Sequence, residues 1–429
     1  MNDEPTTLLL TDFNAHGTTR ARHRGRWMEV EHGIPGETVK VEVLGQKRQI
    51  GRIIDLVEAA PDRAFPPCEY YREWKCGGCQ WQHITYPGQL RRKRALVKDS
   101  LRRAGLDLKV TSTHSLNDPW RYRSTAGISL GKAAGFRRHG SLAIVPIRDC
   151  LISHPLIGQL MAALNDRIAD GALPDFRGRL RLDVRLGEWP EGERLQVLVR
   201  PDEQKPPEQE DVAILLSLLP TLTEVGGVSA LQSDGTIAIV SGDRFTTVTV
   251  AGKPVSLTAG SFFQTNLELL PQLIARLQQE AAPLEGKRIA DLYAGVGLFG
   301  LFLAEGAAQV TMIESDPLAV EAGRRTAELW GATNVRVIEA DVDEGLDPDD
   351  QYDVVIVDPP RTGLDDEVRR TLMATQPPLI LYVSCLPQSL ARDLVELVAA
   401  GYHVEYLELF DFYPQTYHVE LLAVLRLQV

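Results

Sequence analysis

Cysteine is the residue type in this chain best suited to covalent or metal chemistry, and there are five cysteines in 429 residues. Two glycines lie within one Cys-x-x-Cys pair, so the backbone there can wrap closely around an ion or a cluster. All-thiolate sites of this kind bind zinc or an iron–sulfur cluster, and the spacing alone fits both. The four cysteines of this predicted metal site are Cys68, Cys76, Cys79 and Cys150.

Disulfide bonds are the competing interpretation of these four cysteines. Five cysteines in a chain of this length are too few for the disulfide framework of a small secreted protein. The composition is 44% hydrophobic, yet no apolar run approaches the ~20 residues that a membrane helix requires. We therefore expect reduced, metal-binding cysteines in a cytoplasmic protein of several domains that does not span a membrane.

The fifth cysteine, Cys385, stands in the sequence Ser384-Cys385-Leu386-Pro387. If metal takes the other four thiolates, Cys385 is free to act as a nucleophile. The alternative is an inert position in the core, because cysteine is among the residue types most often buried. A nucleophile is useful only at a fixed place in the fold, so the elements around Cys385 decide between the two interpretations.

From about residue 257 onward, short runs of β-branched and aliphatic residues alternate with segments long enough for a helix. This alternation predicts a parallel, doubly wound, Rossmann-like sheet. In such a sheet the carboxyl ends of the strands lie along one edge, where ligands bind, and Cys385 follows the last of them. The five predicted strands are residues 289–293, 310–313, 335–338, 354–357 and 379–383.

The turn after the first predicted strand is rich in glycine, with Gly295, Gly297 and Gly300 at the spacing of a dinucleotide fingerprint. Such a loop lets the backbone approach a ligand closely, and it suits NAD and S-adenosylmethionine equally well. One acidic residue follows each of the next three strands, where it could bind a ribose, an adenine amino group or substrate. The second of them could instead simply begin an acidic loop. These residues are Glu314, Asp341 and Asp358.

The first 62 residues alternate apolar and polar positions in short runs broken by glycine, which predicts a small β-barrel. Residues 63–256 contain the metal loop, a basic helix and strand-like alternation, so we predict a central antiparallel β-rich domain. Residues 257–429 hold the Rossmann-like sheet. The predicted fold class is therefore multi-domain α/β.

Charge is distributed unevenly along the chain. Residues 1–150 have 25 Lys and Arg against 16 Asp and Glu, a net charge of +9, whereas residues 151–429 have 21 against 42, a net charge of −21. The basic third predicts a polyanion-binding surface in a chain whose total charge is −12. Its densest run is Arg91-Arg92-Lys93-Arg94, which either contacts phosphates or is only the solvated side of a helix.

Several motifs are specific enough to indicate a family when they are taken together. Besides the glycine loop, they are Ser-Phe-Phe-Gln-Thr-Asn at 261–266, Asp-Pro-Pro-Arg-Thr-Gly-Leu at 358–364, Tyr-Val-Ser-Cys-Leu-Pro at 382–387 and Tyr-Pro-Gln-Thr-Tyr-His-Val-Glu at 413–420. With them, the chain resembles the S-adenosylmethionine-dependent RNA uridine-5-methyltransferases, particularly the iron–sulfur branch that acts on 23S ribosomal RNA. The resemblance extends over essentially the whole chain, and residues 1–62 resemble the TRAM domain.

The resemblance implies that Cys385 adds to a uridine ring and that Glu420 later removes a proton from it. It also implies a 4Fe-4S cluster on the four cysteines, for which we expect a structural or RNA-contacting role. Cofactor contacts are implied for Gln264, Tyr293, Gly295, Glu314, Asp341 and Asp358, the last of which could also accept from uracil N3–H. RNA contacts are expected from Arg91, Arg92, Lys93, Arg94 and Phe262, the phenylalanine by stacking on a base.

Leu298 is one departure from the pattern, because the family commonly has a polar residue such as Asn there. A side-chain hydrogen bond to the cofactor is then missing or is supplied by backbone. Three other functions stay open on the sequence: the same chemistry on transfer RNA, a nicotinamide-dependent iron–sulfur oxidoreductase, and a non-catalytic RNA-binding protein with a methyltransferase fold.

Overall fold

The computed structural model describes residues 5–14, 16–44, 50–72, 76–201, 206–346 and 349–428, and its strands form three sheets. The strands of the first sheet are β1 Thr6–Leu9, β2 Asp12–Phe13, β3 Thr19–His23, β4 Arg26–Val30, β5 Thr38–Leu44 and β6 Ile50–Glu58. They pair in the order β1-β5-β6-β4-β3-β2 around a small apolar core. Among the described residues no pairing joins β1 to β2, so closure into a barrel stays a prediction.

Two helices follow the first sheet, α1 Glu69–Arg72 and α2 Tyr86–Arg103. Proline near the start of α2 is compatible with the first turn of a helix, and Gly105, at φ +85°, follows its end. The structure buries a stripe of α2 residues spaced at four positions, two of which are polar: Gln89, Lys93, Val97 and Leu101.

The central sheet has nine strands, which agrees with the predicted β-rich region. Its elements are β8 Thr125–Leu130, β9 Ala134–Arg137, β10 Ile144–Pro146, α3 Pro155–Ala169, β11 Leu180–Trp189, β12 Gly192–Pro201, α4 Gln209–Leu218, a 3₁₀ turn Leu219–Thr221, β13 Val225–Leu231, β14 Ile237–Ser241, β15 Phe245–Val250 and β16 Lys253–Thr258. One pair, β12 with β13, is parallel rather than antiparallel. The reason is that α4 crosses over between these two strands.

The third sheet begins with a short strand from early in the chain, β7 Ser112–His114. Its other elements are α5 Leu270–Ala281, β17 Arg288–Leu292, α6 Leu298–Leu303, β18 Gln309–Glu314, α7 Pro317–Trp330, β19 Val335–Glu339, α8 Val342–Gly345, β20 Val354–Val357, α9 Asp366–Thr375, β21 Leu379–Ser384, α10 Pro387–Ala399, β22 Tyr402–Phe410 and β23 Glu420–Leu427. The strand order is β19-β18-β17-β20-β21-β23-β22-β7. The strands β17 to β21 are parallel, as predicted, and β23 runs antiparallel to β21 and β22.

Apolar cores cover both faces of this third sheet. The helices α5, α6 and α7 pack on one face, and α9, α10 and α2 pack on the other. The helix α2 thus comes from the basic third of the chain but forms part of the core beneath the predicted nucleotide-binding sheet. None of the helices in the described part of the chain combines the length and the apolar composition that a membrane span requires.

Candidate active site

Three reactive side chains meet where β20, β21 and β23 come together. The parallel strands β20 and β21 end side by side, so Asp358 and Cys385 both lie at the carboxyl edge of the sheet. The strand β23 runs the other way, and its register pairs Ser384 with Leu421. Glu420, which begins β23, is therefore the neighbour of Cys385 across the two strands. The sequence separates these groups by up to 62 positions, and the sheet topology brings them together.

Burial disfavours the ionised forms of these three acidic groups. Burial raises the pKa of the Cys385 thiol to about 12, the carboxylates of Glu420 and Asp358 add to the rise, and Arg361 opposes it. Burial also raises the pKa of Asp358 to about 7, and that of Glu420 well above its usual range with a contribution from Asp358. A thiolate therefore requires an added positive charge in this pocket.

Glu420 is 2% exposed, and its Oε1 has no hydrogen-bond partner among the described residues. A buried carboxyl oxygen without a partner is costly, and in native proteins such groups concentrate at functional sites. The Oε1 atom of Glu420 is thus available to bond a ligand. This placement fits a group that accepts a proton from a bound molecule.

One further side chain lies near this pocket in the loop before β23, Tyr413. Burial raises the pKa of Tyr413, with contributions from Glu420, Cys385 and Asp358. His418 packs edge-on against the Tyr413 ring at 5.9 Å, and burial lowers its pKa to about 4, so its imidazole is neutral. Both residues stand in the motif at 413–420, but sequence reasoning assigned a role only to its glutamate. The proximity of Tyr413 to the thiol depends on how the loop folds, which no local pattern showed.

The glycine loop after β17 has the backbone that a close ligand contact needs. Gly295 and Gly297 have positive φ angles of 56° and 77°. A Cβ at Gly297 would lie 2.4 Å from the end of the Met312 side chain, which would have to move, and the positive φ angle itself favours glycine at this position. The Glu314 carboxylate accepts hydrogen bonds from the N–H groups of Gly295 at 2.7 Å and of Asp316 at 2.8 Å. The predicted acidic residue after β18 is thus fixed beside the loop.

Asp291 supports this loop from inside and was not singled out in the sequence. It is fully buried, and its Oδ2 accepts a hydrogen bond from the Gly300 N–H at 2.7 Å. Burial raises its pKa well above the usual range, and that hydrogen bond opposes the rise. A polar residue inside an otherwise aliphatic strand was the available signal, since buried carboxylates are rare without a role.

The other predicted cofactor residues occupy different environments. Gln264 is 6% exposed, and its Oε1 lacks a hydrogen-bond partner among the described residues. Tyr293 begins the glycine loop with φ +58°, and its hydroxyl donates to Asp365 at 3.2 Å. Asp341 is exposed at the start of α8. Leu298 packs its side chain in the core, so any polar contact at that position must come from backbone.

Phe262 and Phe263 are adjacent in the segment between β16 and α5, but they differ in burial. Phe262 is 66% exposed, whereas Phe263 is 6% exposed and belongs to the core. Only Phe262 is therefore available to a base.

The four cysteines of the predicted metal site line one cavity of about 400 Å³. All are free thiols. Burial raises the pKa of Cys76 to about 11 and that of Cys79 well above its usual range, and the neighbouring thiols add to both shifts. Within the described ranges, no group of three or more Cys, His, Asp or Glu side chains is placed to hold a single metal ion.

The basic run on α2 divides between the surface and the interior. Arg91 and Arg94 are exposed, and Arg92 is half-buried in an ion pair with Asp62 at 2.9 Å. Lys93 is 0% exposed, so the prediction that it contacts RNA is wrong. Its position in the four-residue stripe, and not its charge, decides which way it faces.

Known proteins resemble this chain both in its carboxy-terminal part and over nearly its whole length. Two family models match the carboxy-terminal part of the chain: tRNA (uracil-5-)-methyltransferase over residues 343–427, and methyltransferase small domain over residues 257–375. An uncharacterized RNA methyltransferase of Halalkalibacterium halodurans is 30% identical over 445 residues, which cover 98% of this chain and 96% of that protein. An uncharacterized RNA methyltransferase of Gloeobacter violaceus is 31% identical over 451 residues, which cover 99% of this chain and 97% of that protein.

Among solved structures, a tRNA (uracil-54, C5)-methyltransferase of Pyrococcus abyssi, in complex with S-adenosyl-L-homocysteine, has the same fold. It aligns with a TM-score of 0.76 at 26% identity, over 98% of this chain and 100% of that chain. The similarity thus includes all three sheets.

Proposed function

Because the chain belongs to the S-adenosylmethionine-dependent RNA (uracil-5-)-methyltransferase family, we propose that it methylates carbon 5 of a uridine in structured RNA through a covalent adduct with Cys385. The observation that carries the proposal is the meeting of Cys385, Asp358 and Glu420 at one edge of the third sheet. A thiol with two acidic neighbours has both the nucleophile and the base that this reaction needs.

The reaction begins with the Cys385 sulfur. Carbon 5 of uracil is a weak nucleophile, so the thiolate adds to carbon 6 and forms a carbon–sulfur bond, which moves an electron pair to the ring. Bound S-adenosylmethionine supplies an electrophilic methyl group on a sulfonium. Carbon 5 forms the new carbon–carbon bond as the methyl–sulfur bond breaks. Glu420 then removes the proton from carbon 5, and the returning electron pair expels the Cys385 thiolate.

Because the pKa of Cys385 is high, the point in the reaction at which its thiolate forms depends on nearby charge. The thiol is protonated in the pocket described above, because burial and two carboxylates disfavour a further negative charge. A sulfonium bound at the same edge would lower the pKa of Cys385 and of its acidic neighbours. We infer that Cys385 gives up its proton, to Asp358 or to water, mainly after the methyl donor has bound, and that the proton returns when the thiolate is expelled.

Asp358 lies between the proposed position of the uridine and that of S-adenosylmethionine. Its pKa is raised by burial to about 7, so it is able to accept or to share a proton near neutral pH. Asp358 lies at the end of β20, adjacent to both Cys385 and the glycine loop, and its carboxyl group is buried. We propose that it receives a hydrogen bond from uracil N3–H or from the cofactor.

We propose that the methyl donor lies over the glycine loop. The fit rests on the N–H groups and carboxylates gathered there, and on the Gln264 oxygen that has no partner among the described residues. Glu314 would exchange its hydrogen bond to Gly295 for ribose hydroxyls. Tyr293, Gly295 and Asp341 complete the proposed contacts.

For the cysteine cavity we propose a 4Fe-4S cluster rather than zinc. A zinc site needs four ligands that converge on one point, whereas these thiols surround a cavity of about 400 Å³ without such convergence. Cys68, Cys76, Cys79 and Cys150 would hold the cluster as thiolates and so tie the segments that carry Cys68 and Cys76 to the central sheet. Methyl transfer contains no electron-transfer step, so methylation should persist when the cluster is reversibly reduced. A loss would contradict a purely structural or RNA-contacting role.

The favoured substrate is 23S ribosomal RNA, held by the first sheet, which we propose to be a TRAM-like barrel, and by Arg91, Arg92 and Arg94, while Phe262 stacks on a base. Transfer RNA is the alternative, because the structurally similar Pyrococcus abyssi enzyme is a tRNA methyltransferase. Mapping of 5-methyluridine in cytoplasmic RNA from cells with and without this protein separates the two. Loss from 23S ribosomal RNA supports the proposal, and loss from transfer RNA alone overturns this choice.

The chemistry itself is tested with Glu420→Gln. Without the base, the reaction stops after methyl transfer, so an RNA–protein adduct that survives a denaturing gel should accumulate. Turnover should fall by about 10²–10⁴-fold. The matched variant Cys385→Ala should form no adduct and no product while it still binds RNA. Unchanged turnover in Glu420→Gln would remove the glutamate from this role.

A further inference from the structure

The helix α2 presents two polar side chains to the interior, at positions where an amphipathic helix normally has apolar residues. Gln89 and Lys93 lie one helical turn apart in the buried stripe, and each is 0% exposed. Buried amide and ammonium groups are retained only where their hydrogen bonds are satisfied. Both side chains bond to one segment, residues 411–419, and Gln89 also bonds the turn before α2. We call residues 411–419 the catalytic loop because they join β22 to Glu420.

Lys93 holds the start of the catalytic loop. Its Nζ donates a hydrogen bond to Asp411 Oδ1 at 2.5 Å and a second one to the Tyr413 carbonyl at 2.9 Å. Asp411 is 0% exposed as well, so this ion pair is fully removed from solvent. Such a pair is strongly directional, because each charge depends on the other for its hydrogen bonds.

Gln89 holds the middle of the catalytic loop. Its Nε2 donates to Gln415 Oε1 at 2.9 Å, and its Oε1 accepts the Gln415 N–H at 2.8 Å. The same Nε2 contacts the carbonyls of Trp81 at 3.1 Å and Ile84 at 2.9 Å. The Gln415 carbonyl accepts the N–H groups of Gln80 and Trp81 at 3.0 and 2.9 Å. Gln415 has φ +68°, an uncommon backbone for a residue with a side chain, and these bonds hold it there.

The loop conformation fixed in this way sets the geometry of the reaction pocket. Tyr413, whose carbonyl Lys93 holds, lies close enough to Cys385, Asp358 and Glu420 for their charges to raise its pKa beyond the effect of burial. At the other end of the loop, Glu420 begins β23 opposite Phe410. A shift in residues 411–415 would therefore be transmitted to the base.

We propose that Gln89 and Lys93 are positioning residues for proton removal by Glu420, and that they act by holding the catalytic loop. The inference rests on the proposed function, because it assigns the loop a part in that reaction. An apolar pair at these two positions would pack α2 against the sheet but would not direct the Tyr413 carbonyl or the Gln415 amide. The step most affected is the one made by Glu420, after methyl transfer.

The test uses the full chain with two variants that avoid an unpaired buried charge. Gln89→Met replaces the amide, and Lys93→Met with Asp411→Leu removes both charges together, since loss of one partner alone would strongly destabilise the fold. The expected result is a fall in kcat of about 10–100-fold with KM for RNA and for S-adenosylmethionine nearly unchanged, because a misplacement near 1 Å has that effect. During turnover a larger fraction of enzyme should be trapped as RNA adduct than in the unmodified protein.

Controls separate this inference from the function on which it rests. Lys98→Met changes an exposed lysine on the same helix and should leave kcat and adduct level unaltered. Suppose that Glu420→Gln accumulates adduct but the α2 variants lose activity without accumulating adduct. The positioning role is then overturned, and Gln89 and Lys93 serve only stability. If Glu420→Gln itself forms no adduct, the covalent mechanism fails first. Thermal unfolding of each variant shows whether a lower kcat reflects a smaller folded fraction.

Discussion

The cysteine cavity and the reaction pocket both bury thiols, but they differ in what surrounds the sulfur. Burial raises the pKa of Cys76 to about 11 and that of Cys385 to about 12, so desolvation acts on both sites in the same direction. In the cavity, the neighbouring groups that add to the shift are other thiols. In the pocket, they are the carboxyl groups of Glu420 and Asp358.

This difference in neighbouring groups distinguishes a site that holds a metal permanently from a site that carries out a reaction. Four thiols around one space can all be deprotonated only if a cationic centre stays among them. A single thiol beside two carboxyl groups needs a positive charge only while the reaction proceeds, and a carboxylate next to it can then take a proton. Burial alone therefore does not tell a ligand cysteine from a nucleophile, whereas the neighbouring groups do.

The largest expected effect comes from exchanging one sulfur for oxygen in each region. Cys385→Ser should lower methylation on the order of 10⁴-fold or more, because it removes the nucleophile, and should leave the free energy of unfolding nearly unchanged. Cys79→Ser should lower the free energy of unfolding by at least about 2 kcal/mol, because it removes a cluster ligand. Methylation assays normalised to the folded fraction, with denaturant unfolding, measure both.

The comparison breaks if the two variants behave alike. Full activity in Cys385→Ser would mean that this sulfur is not the nucleophile. A Cys79→Ser protein with unchanged stability and no iron in either form would mean that the cavity has no metal.

A smaller effect should be visible in the chemical reactivity of Cys385. The sulfonium of S-adenosylmethionine is positive and the thioether of S-adenosylhomocysteine is neutral, so only the first should lower the pKa of this thiol. Alkylation of Cys385 at pH 8 should be about tenfold faster with the cationic ligand, equivalent to one pKa unit. Cys385→Ser identifies the signal from the other cysteines. Equal rates with both ligands would show that the methyl donor does not control the thiol.

The smallest expected effect is in the pH dependence of stability. The pKa of Asp358 is about 7 in the folded protein against an ordinary 3.8, so the native state binds this proton more tightly than the unfolded state. Stability contributed by the protonated group is present at low pH and decreases as the pH rises from 3.8 to about 7. In Asp358→Asn, the decrease in the free energy of unfolding between pH 5 and pH 8 should be smaller by at least about 1 kcal/mol. An identical slope in both proteins would argue against a buried, protonated carboxyl group in the pocket.

Local patterns were sufficient for much of the fold. The five predicted strands of the nucleotide-binding sheet correspond to β17 to β21, because aliphatic runs between helix-length segments are a local signal. The mixed α/β methyltransferase fold is confirmed by the Pyrococcus abyssi structure. The predicted roles of Cys385 and Glu420 came from motifs, and their neighbouring positions follow from the antiparallel pairing of β21 and β23.

Long-range partners were not accessible from local patterns. Lys93 was expected at the surface because it stands in a basic run, but its partner Asp411 lies 318 positions away in the chain. The parallel pairing of β12 and β13 likewise depends on a crossover and not on the residues of either strand.

The position of β23 has a consequence for how the protein is made. This strand is the last one along the described chain, yet it inserts between β21 and β22 instead of adding to an edge. Domains generally begin to fold from the amino terminus while the ribosome is still synthesising the remainder. A nascent chain that already displays the basic helix, the cysteine loop and the nucleophile therefore still lacks its base. Synthesis itself therefore delays activity until β23 has been made.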